Sequence, residues 1–167
     1  ANTRAVVECR RGCFAVRVRR KNVSRPIGAV EWLRGIGGWG QRAREKSVPA
    51  EVFELRNVDL ALFLARLWEG DGCVSGRGHV SYDTSSRQLA EDVQHLLLRL
   101  GIVARVYERS RPYRGRVVTH FVVTVTGQEN CKRFYDKIAR RFLGRAKRDK
   151  ARELARPEAM LTNRGQT

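Results

Sequence analysis

Leu64-Ala65-Arg66-Leu67-Trp68-Glu69-Gly70-Asp71-Gly72 closes a stretch that is apolar almost all round, with Val58, Leu60, Ala61, Leu62 and Phe63 before it. The pattern predicts a helix over 58–70, with Asn57 as its N-cap. A surface helix carries one apolar stripe; a helix apolar on two sides must be covered on both. This helix is therefore expected to be central. It ends on Glu69 and Asp71, two acids at the terminus where the helix dipole is already negative. A carboxylate there is disfavoured by a fraction of ~1 kcal/mol, and a cation reverses the sign. Oxygen ligands at such a place suit a hard divalent ion. The plainer alternative is that Asp71 and Gly72 only end the helix and start a turn.

Working outward, 72–84 reads as a hairpin around Ser75–Gly78. Leu89, Val93, Leu96, Leu97 and Leu100 recur at helical spacing, which predicts a helix over 86–100 closed by Gly101. Strands over 102–109 and 116–126 flank Arg111-Pro112-Tyr113-Arg114-Gly115, read as the turn. In the first, Ile102, Ala104 and Val106 face inward while Arg105, Tyr107 and Arg109 face out. In the second, Val117, Thr119, Phe121, Val123 and Val125 share the inner face, leaving Arg116 and His120 outside. A last helix is expected over 128–142, and a basic, then polar, tail that frays. Upstream, strands over 5–10 and 14–20 surround Arg11-Gly12, with Arg17 and Arg19 on an outer face. Pro26 opens a helix over 27–35. A glycine-rich stretch and a basic loop follow, to Pro49. The reading divides the chain into 1–50, the back part of one repeat; 51–142, a complete αββαββα repeat; and 143–167, a tail.

The 167 residues hold 34 Lys plus Arg against 17 Asp plus Glu, a formal charge of +17. So basic a chain repels itself unless a polyanion compensates it, and nucleic acid is the first candidate. At 42% hydrophobic it has the means to build a core. No apolar run approaches the roughly 20 residues that cross a bilayer. There is no secretory signal, so a cytoplasmic location and no membrane partner are expected. The start at Ala1 without Met reads as a segment of a longer chain. Cys9, Cys13, Cys73 and Cys131 lack zinc-site spacing and read as free thiols; a Cys9–Cys13 bridge across the first hairpin is the alternative.

Residues 64–72 resemble the LAGLIDADG signature of homing endonucleases, most closely the variants found in inteins. The resemblance extends outward. Glu45-Lys46-Ser47-Val48-Pro49-Ala50-Glu51-Val52-Phe53 is similar to the Lys-x-x-Pro block that precedes the second signature, and Tyr82–Ser86 through Leu100-Gly101-Ile102 to the helix that follows it. Trp39–Lys46 with Leu60–Leu64 is similar to inteins of bacterial replicative DNA helicases. The match covers roughly residues 25–140.

The resemblance implies an α+β fold, with a curved antiparallel sheet packed on helices. It implies recognition of double-stranded DNA and Mg²⁺-dependent hydrolysis of its phosphodiesters. Asp71, with Gly70, would hold the metal. Lys46 would order water near the scissile phosphate and balance charge in the transition state. Arg17, Arg19, Arg105, Tyr107, Arg109, Arg116 and His120 would contact DNA from outer strand faces, where Arg suits guanine edges and phosphates. Two signature helices cross in this family, and Leu64, Ala65 and Trp68 are expected at that crossing. Arg66 stands where the signature has glycine. Residues 1–56 hold no second copy, so the other helix would come from an upstream segment or a homodimer partner. Ala1 and Thr167 are not splicing residues. The alternative function is a catalytically idle nucleic-acid-binding module, like a regulator or an RNA maturase.

Overall fold

The computed structural model describes residues 2–10, 13–24, 27–75 and 79–156. The chain forms two units, residues 1–41 and 42–167. In the first, β1 (Arg4–Arg10) pairs antiparallel with β2 (Cys13–Arg19), and α1 (Gly28–Gly35) follows. The expected turn at Arg11-Gly12 and the helix-opening Pro26 lie outside the described residues. Cys9 pairs with Phe14 and Cys13 with Arg10, so the two cysteines are not opposite one another.

The second unit opens with α2 (Ala50–Phe53) and α3 (Asn57–Asp71). Then come β3 (Gly72–Ser75), β4 (His79–Thr84), α4 (Arg87–Arg99), β5 (Ala104–Tyr113), β6 (Arg116–Val125), α5 (Gln128–Lys137), a 3-10 turn (Ala139–Arg141) and α6 (Arg145–Leu154). The strands make one antiparallel sheet in the order β3-β4-β6-β5. The expected αββαββα order is therefore present from α3 to α5, and the fold is α+β.

Local chemistry explains most boundaries. Ser86 caps α4, its hydroxyl accepting from the Leu89 amide at 3.1 Å. Gly101 ends that helix with φ 72°, and the Ile102 amide reaches back to the Leu97 carbonyl at 2.9 Å. Several boundaries differ from expectation, among them the last helix, expected over 128–142, which ends at Lys137 and is followed by the 3-10 turn. α3 is capped at Arg56, one residue early, with Asp59 in its first turn bonded to Arg56 at 3.1 Å. The β5–β6 turn is only Arg114-Gly115, both at positive φ (48° and 73°), which matches the twist of a tight hairpin. Arg111, Pro112 and Tyr113 are strand, and Pro112 is tolerated because β5 is an edge. The tail does not fray over 145–154: α6 buries Ala151 and Leu154.

The core lies between the sheet's inner face and the helices. Trp68 is fully buried at its centre, 5.5 Å from the Tyr82 ring and 5.0 Å from Phe134. Gly72 is required beneath it, since a Cβ there would stand 2.3 Å from the indole. The α3 expectation holds on one side only. Leu60, Ala61, Leu64, Ala65 and Trp68 are buried, while Val58 and Leu62 are 53% and 44% exposed. Among the described residues no helix is long and apolar enough to cross a membrane.

Candidate nucleic-acid interface

The sheet has an inner apolar face and an outer polar one, and strand register fixes which side chain takes which. Arg105 lies opposite Thr124, Tyr107 opposite Val122, Arg109 opposite His120, Arg111 opposite Val118 and Tyr113 opposite Arg116. Since alternate residues share a face, these ten side chains point the same way. On β4 the register adds His79, Ser81 and Asp83. Thus Arg105, Tyr107, Arg109, Arg116 and His120 come together as expected. Arg111 joins them. Sequence reading misses it because Pro112 and Gly115 together look like a broad turn. Two hollows cross this face, of about 460 and 450 Å³; Asp83 and Arg111 border both. Arg17 and Arg19 are not part of this sheet. They sit on β2, in the first unit's two-stranded sheet, and both pair with Glu8, at 3.2 and 2.9 Å.

Asp71 is the exposed last residue of α3. Burial pushes the Tyr82 phenol up to about 12, and the negative charge of Asp71 adds to the shift. The end of α3 is held by α6. The Lys147 ammonium donates to the carbonyls of Trp68 at 3.0 Å, Glu69 at 3.1 Å and Gly72 at 2.8 Å. It thus satisfies carbonyls a helix terminus leaves open and offsets the dipole there. Sequence reading misses Lys147 because it lies in the stretch that looks like a fraying tail. Lys147→Met keeps the stem but removes three charged hydrogen bonds. It should cost roughly 2 kcal/mol, read as a lowered urea midpoint.

Glu69 fixes the same joint from the other direction. Its carboxylate accepts from the Leu143 amide, from the Gly144 amide at 2.9 Å, and from Arg66. Burial alone would raise this carboxyl; the two amides and the Arg66 guanidinium outweigh it and hold it below its ordinary value. A carboxyl lowered by folding stabilises fully above its unfolded pKa, and that contribution is lost as pH falls through the folded value. Wild type should therefore exceed Glu69→Gln in urea stability near neutrality, and the gap should close as pH falls below the ordinary glutamate range.

Lys46 is exposed, but its backbone is tied down. The buried Ser86 hydroxyl donates to the Lys46 carbonyl at 2.6 Å. Two residues on, the Val48 amide donates to the buried Asp92 carboxylate at 2.8 Å, which also accepts from Gln88 at 2.9 Å. Ser86 and Asp92 are two of the three buried polar side chains among the described residues, and both fasten this loop. Neither role is visible in the sequence, because the partners lie 40 or more positions away in the chain.

Residues 59–139 match the family model of the LAGLIDADG-like domain. This part of the chain is a LAGLIDADG domain. Similar stretches occur in two replicative DNA helicases named DnaB. With that of Rhodothermus marinus the chain is 46% identical over 114 residues, covering 65% of this chain and 12% of the relative. With that of a Synechocystis strain it is 44% identical over 123 residues, 70% of this chain and 14% of the relative. One DNA gyrase subunit, from Mycobacterium gordonae, is 36% identical over 115 residues, 66% of this chain and 19% of the relative. The chain thus spans less than a fifth of each.

The LAGLIDADG match contains α3 from Asp59 onward, the whole four-stranded sheet and α5, and leaves Lys46 and Lys147 outside it. Leu64, Ala65 and Trp68, expected at the crossing with a second signature helix, are fully buried in the domain's own core. The open face of α3 is the i, i+4 stripe Val58, Leu62, Arg66 and Gly70, with Phe63 and Leu67 half-buried beside it. Which side of an all-round apolar helix packs on the sheet is decided by tertiary contacts, and here Trp68 decides it. Arg66 lies down along this face, bonded to Glu69 and, at 3.0 Å, to the Arg141 carbonyl.

The Asp71 carboxylate and the Gly70 carbonyl are oxygen donors of the kind Mg²⁺ takes. Lys147 occupies the neighbouring carbonyls and leaves Gly70 out of its set. Among the described residues no three His, Cys, Asp or Glu stand together as a metal site. The donors present fit part of a coordination shell.

Proposed function

We propose that this chain is the homing-endonuclease part of an intein, binding double-stranded DNA on the outer face of its sheet and hydrolysing phosphodiesters at Asp71. The observation that carries the reading is the register. It places four arginines and two tyrosines of β5 and β6 on one open face of a LAGLIDADG domain, clear of the core. Arginines spaced in this way suit phosphates and guanine edges of the major groove, where all base pairs are distinguishable. Similarity to replicative helicases and a gyrase subunit supports an intein setting, since one inserted segment is then shared by unrelated hosts.

In the reaction, Asp71 and Gly70 would hold Mg²⁺ against the DNA. When bound, the ion would supply Lewis-acid stabilisation of charge developing on the phosphodiester. Lys147 holds the end of α3 so that Asp71 is presented at a fixed place. Lys46, on a loop pinned by Ser86 and Asp92, would offer its ammonium to the phosphate. The open stripe of α3 would take a second signature helix, from an upstream segment or a second copy, and that helix would bring the further acid.

One observation favours a second reading, a catalytically idle DNA-binding module: the described residues supply no complete metal-ligand cluster. Both readings require the sheet to bind duplex. With Arg105, Arg109 and Arg111 all changed to alanine, the slope of log affinity against log salt should flatten by about 0.9 for each phosphate that is no longer neutralised. Fluorescence anisotropy on a labelled duplex measures it. An unchanged slope would remove the sheet from the interface. Tighter binding to RNA than to duplex at equal salt would favour the maturase-like form.

A further inference from the structure

Asp83 stands out on the outer face. Among the described residues of that face it is the one carboxylate, and the same face carries Arg105, Arg109, Arg111 and Arg116. A negative charge on a surface that must meet phosphates weakens non-specific attraction. Its surroundings give it no structural duty that compensates. Its side chain is 55% exposed, and its ionisable neighbour is His120, with Nε2 4.0 Å away. Among the described residues no arginine forms an ion pair with it, although Arg111 borders the same two hollows. Glu8 in the first unit is a contrast: it pairs with two arginines at 3.2 and 2.9 Å. Asp83 stands level with Val122 and Tyr107, beside the long β5–β6 hairpin. It lies near the end of β4, one residue past the last pairing with β3 at Tyr82, and so on the open side of β4.

We propose that Asp83 is a base-reading residue that selects cytosine. In the major groove a carboxylate accepts from the N4 amino group of cytosine, while guanine presents only acceptors there and repels it. The arginines beside it carry affinity and guanine contacts; Asp83 gives up some affinity for discrimination at one base pair. This rests on the reading of the outer face as a duplex-DNA surface.

The test is selection of bound duplexes from a random library by the full chain and by Asp83→Ala, with the affinity of each for a mixed-sequence duplex measured in parallel. Asp83 is exposed and outside the core, so the variant should fold; its circular dichroism checks this. The wild-type consensus should hold a cytosine whose enrichment falls roughly tenfold or more in the variant. Mixed-sequence affinity should be equal or higher, because one repelling charge is gone. Asp83→Asn should move the preference at that position towards adenine, which an amide reads. A consensus identical in wild type and Asp83→Ala would overturn the proposal. So would parallel loss of affinity and cytosine preference, which would make Asp83 a general contact. If the wild type enriched no duplex at all, the DNA-surface reading itself would fail, and the proposal with it.

Discussion

Trp68→Ala should destabilise the second unit by about 3–5 kcal/mol, the cost of emptying a large buried aromatic site. Trp68 is fully buried and touches Tyr82 and Phe134, so its loss opens a cavity between α3, β4 and α5. Its indole N–H is buried without a hydrogen-bond partner. Trp68→Phe removes that unsatisfied donor while keeping most of the ring, and should cost clearly less than Trp68→Ala. Gly72→Ala provides an independent check. The new Cβ would meet the indole at 2.3 Å and force the ring or the strand to move, at roughly 1–3 kcal/mol for overpacking. The two sites share one space, so Trp68→Ala with Gly72→Ala should cost less than the sum of the single changes. Urea unfolding followed by circular dichroism reads all four variants. Additive costs would mean that the close approach of Gly72 and Trp68 does not matter energetically.

Much of this architecture is legible because it is written in periodicity. The alternation of apolar and polar residues over 102–109 and 116–126 names the inner and outer faces of both strands of the β5–β6 hairpin. The apolar run of α3 announces a central helix. What escapes has three physical causes. Pro112 and Gly115 are both turn residues, and only the edge position of β5 lets Pro112 be strand, which hides Arg111. Half of α6 is Lys or Arg, so its local composition resembles a solvated tail. Its order comes from Ala151 and Leu154 in the core and from Lys147 on the α3 carbonyls, contacts that no local window contains. Finally, a helix apolar all round does not declare which side its own domain takes. The family resemblance puts Leu64, Ala65 and Trp68 at a crossing with another helix; in the fold they are buried in the domain's own core, and the Val58–Leu62–Arg66–Gly70 stripe is the exposed side. Asp71 and Lys46 are singled out by the family resemblance, but the groups that fix their surroundings, Lys147, Ser86 and Asp92, act across the fold.

Asp71→Asn should abolish DNA cleavage while leaving DNA binding and folding intact. Asp71 is exposed and its side chain is outside the core, so an isosteric amide costs the fold little. Asparagine keeps one oxygen but loses the negative charge. A hard divalent cation binds through charge, and without it the stabilisation of the transition state is lost. Losing such electrostatic stabilisation typically slows a reaction by about two to three orders of magnitude or more. The sheet arginines are untouched, so affinity and salt dependence should match wild type. The decisive measurement is therefore cleavage of a supercoiled plasmid that carries an uninterrupted helicase-gene insertion site, with Mg²⁺, by the wild-type chain and by Asp71→Asn. The account predicts nicked or linear product with wild type, none with Asp71→Asn, and equal plasmid binding by both. Equal cleavage by the two would contradict the role of Asp71, and absence of cleavage by a wild-type chain that binds the plasmid would contradict the nuclease reading.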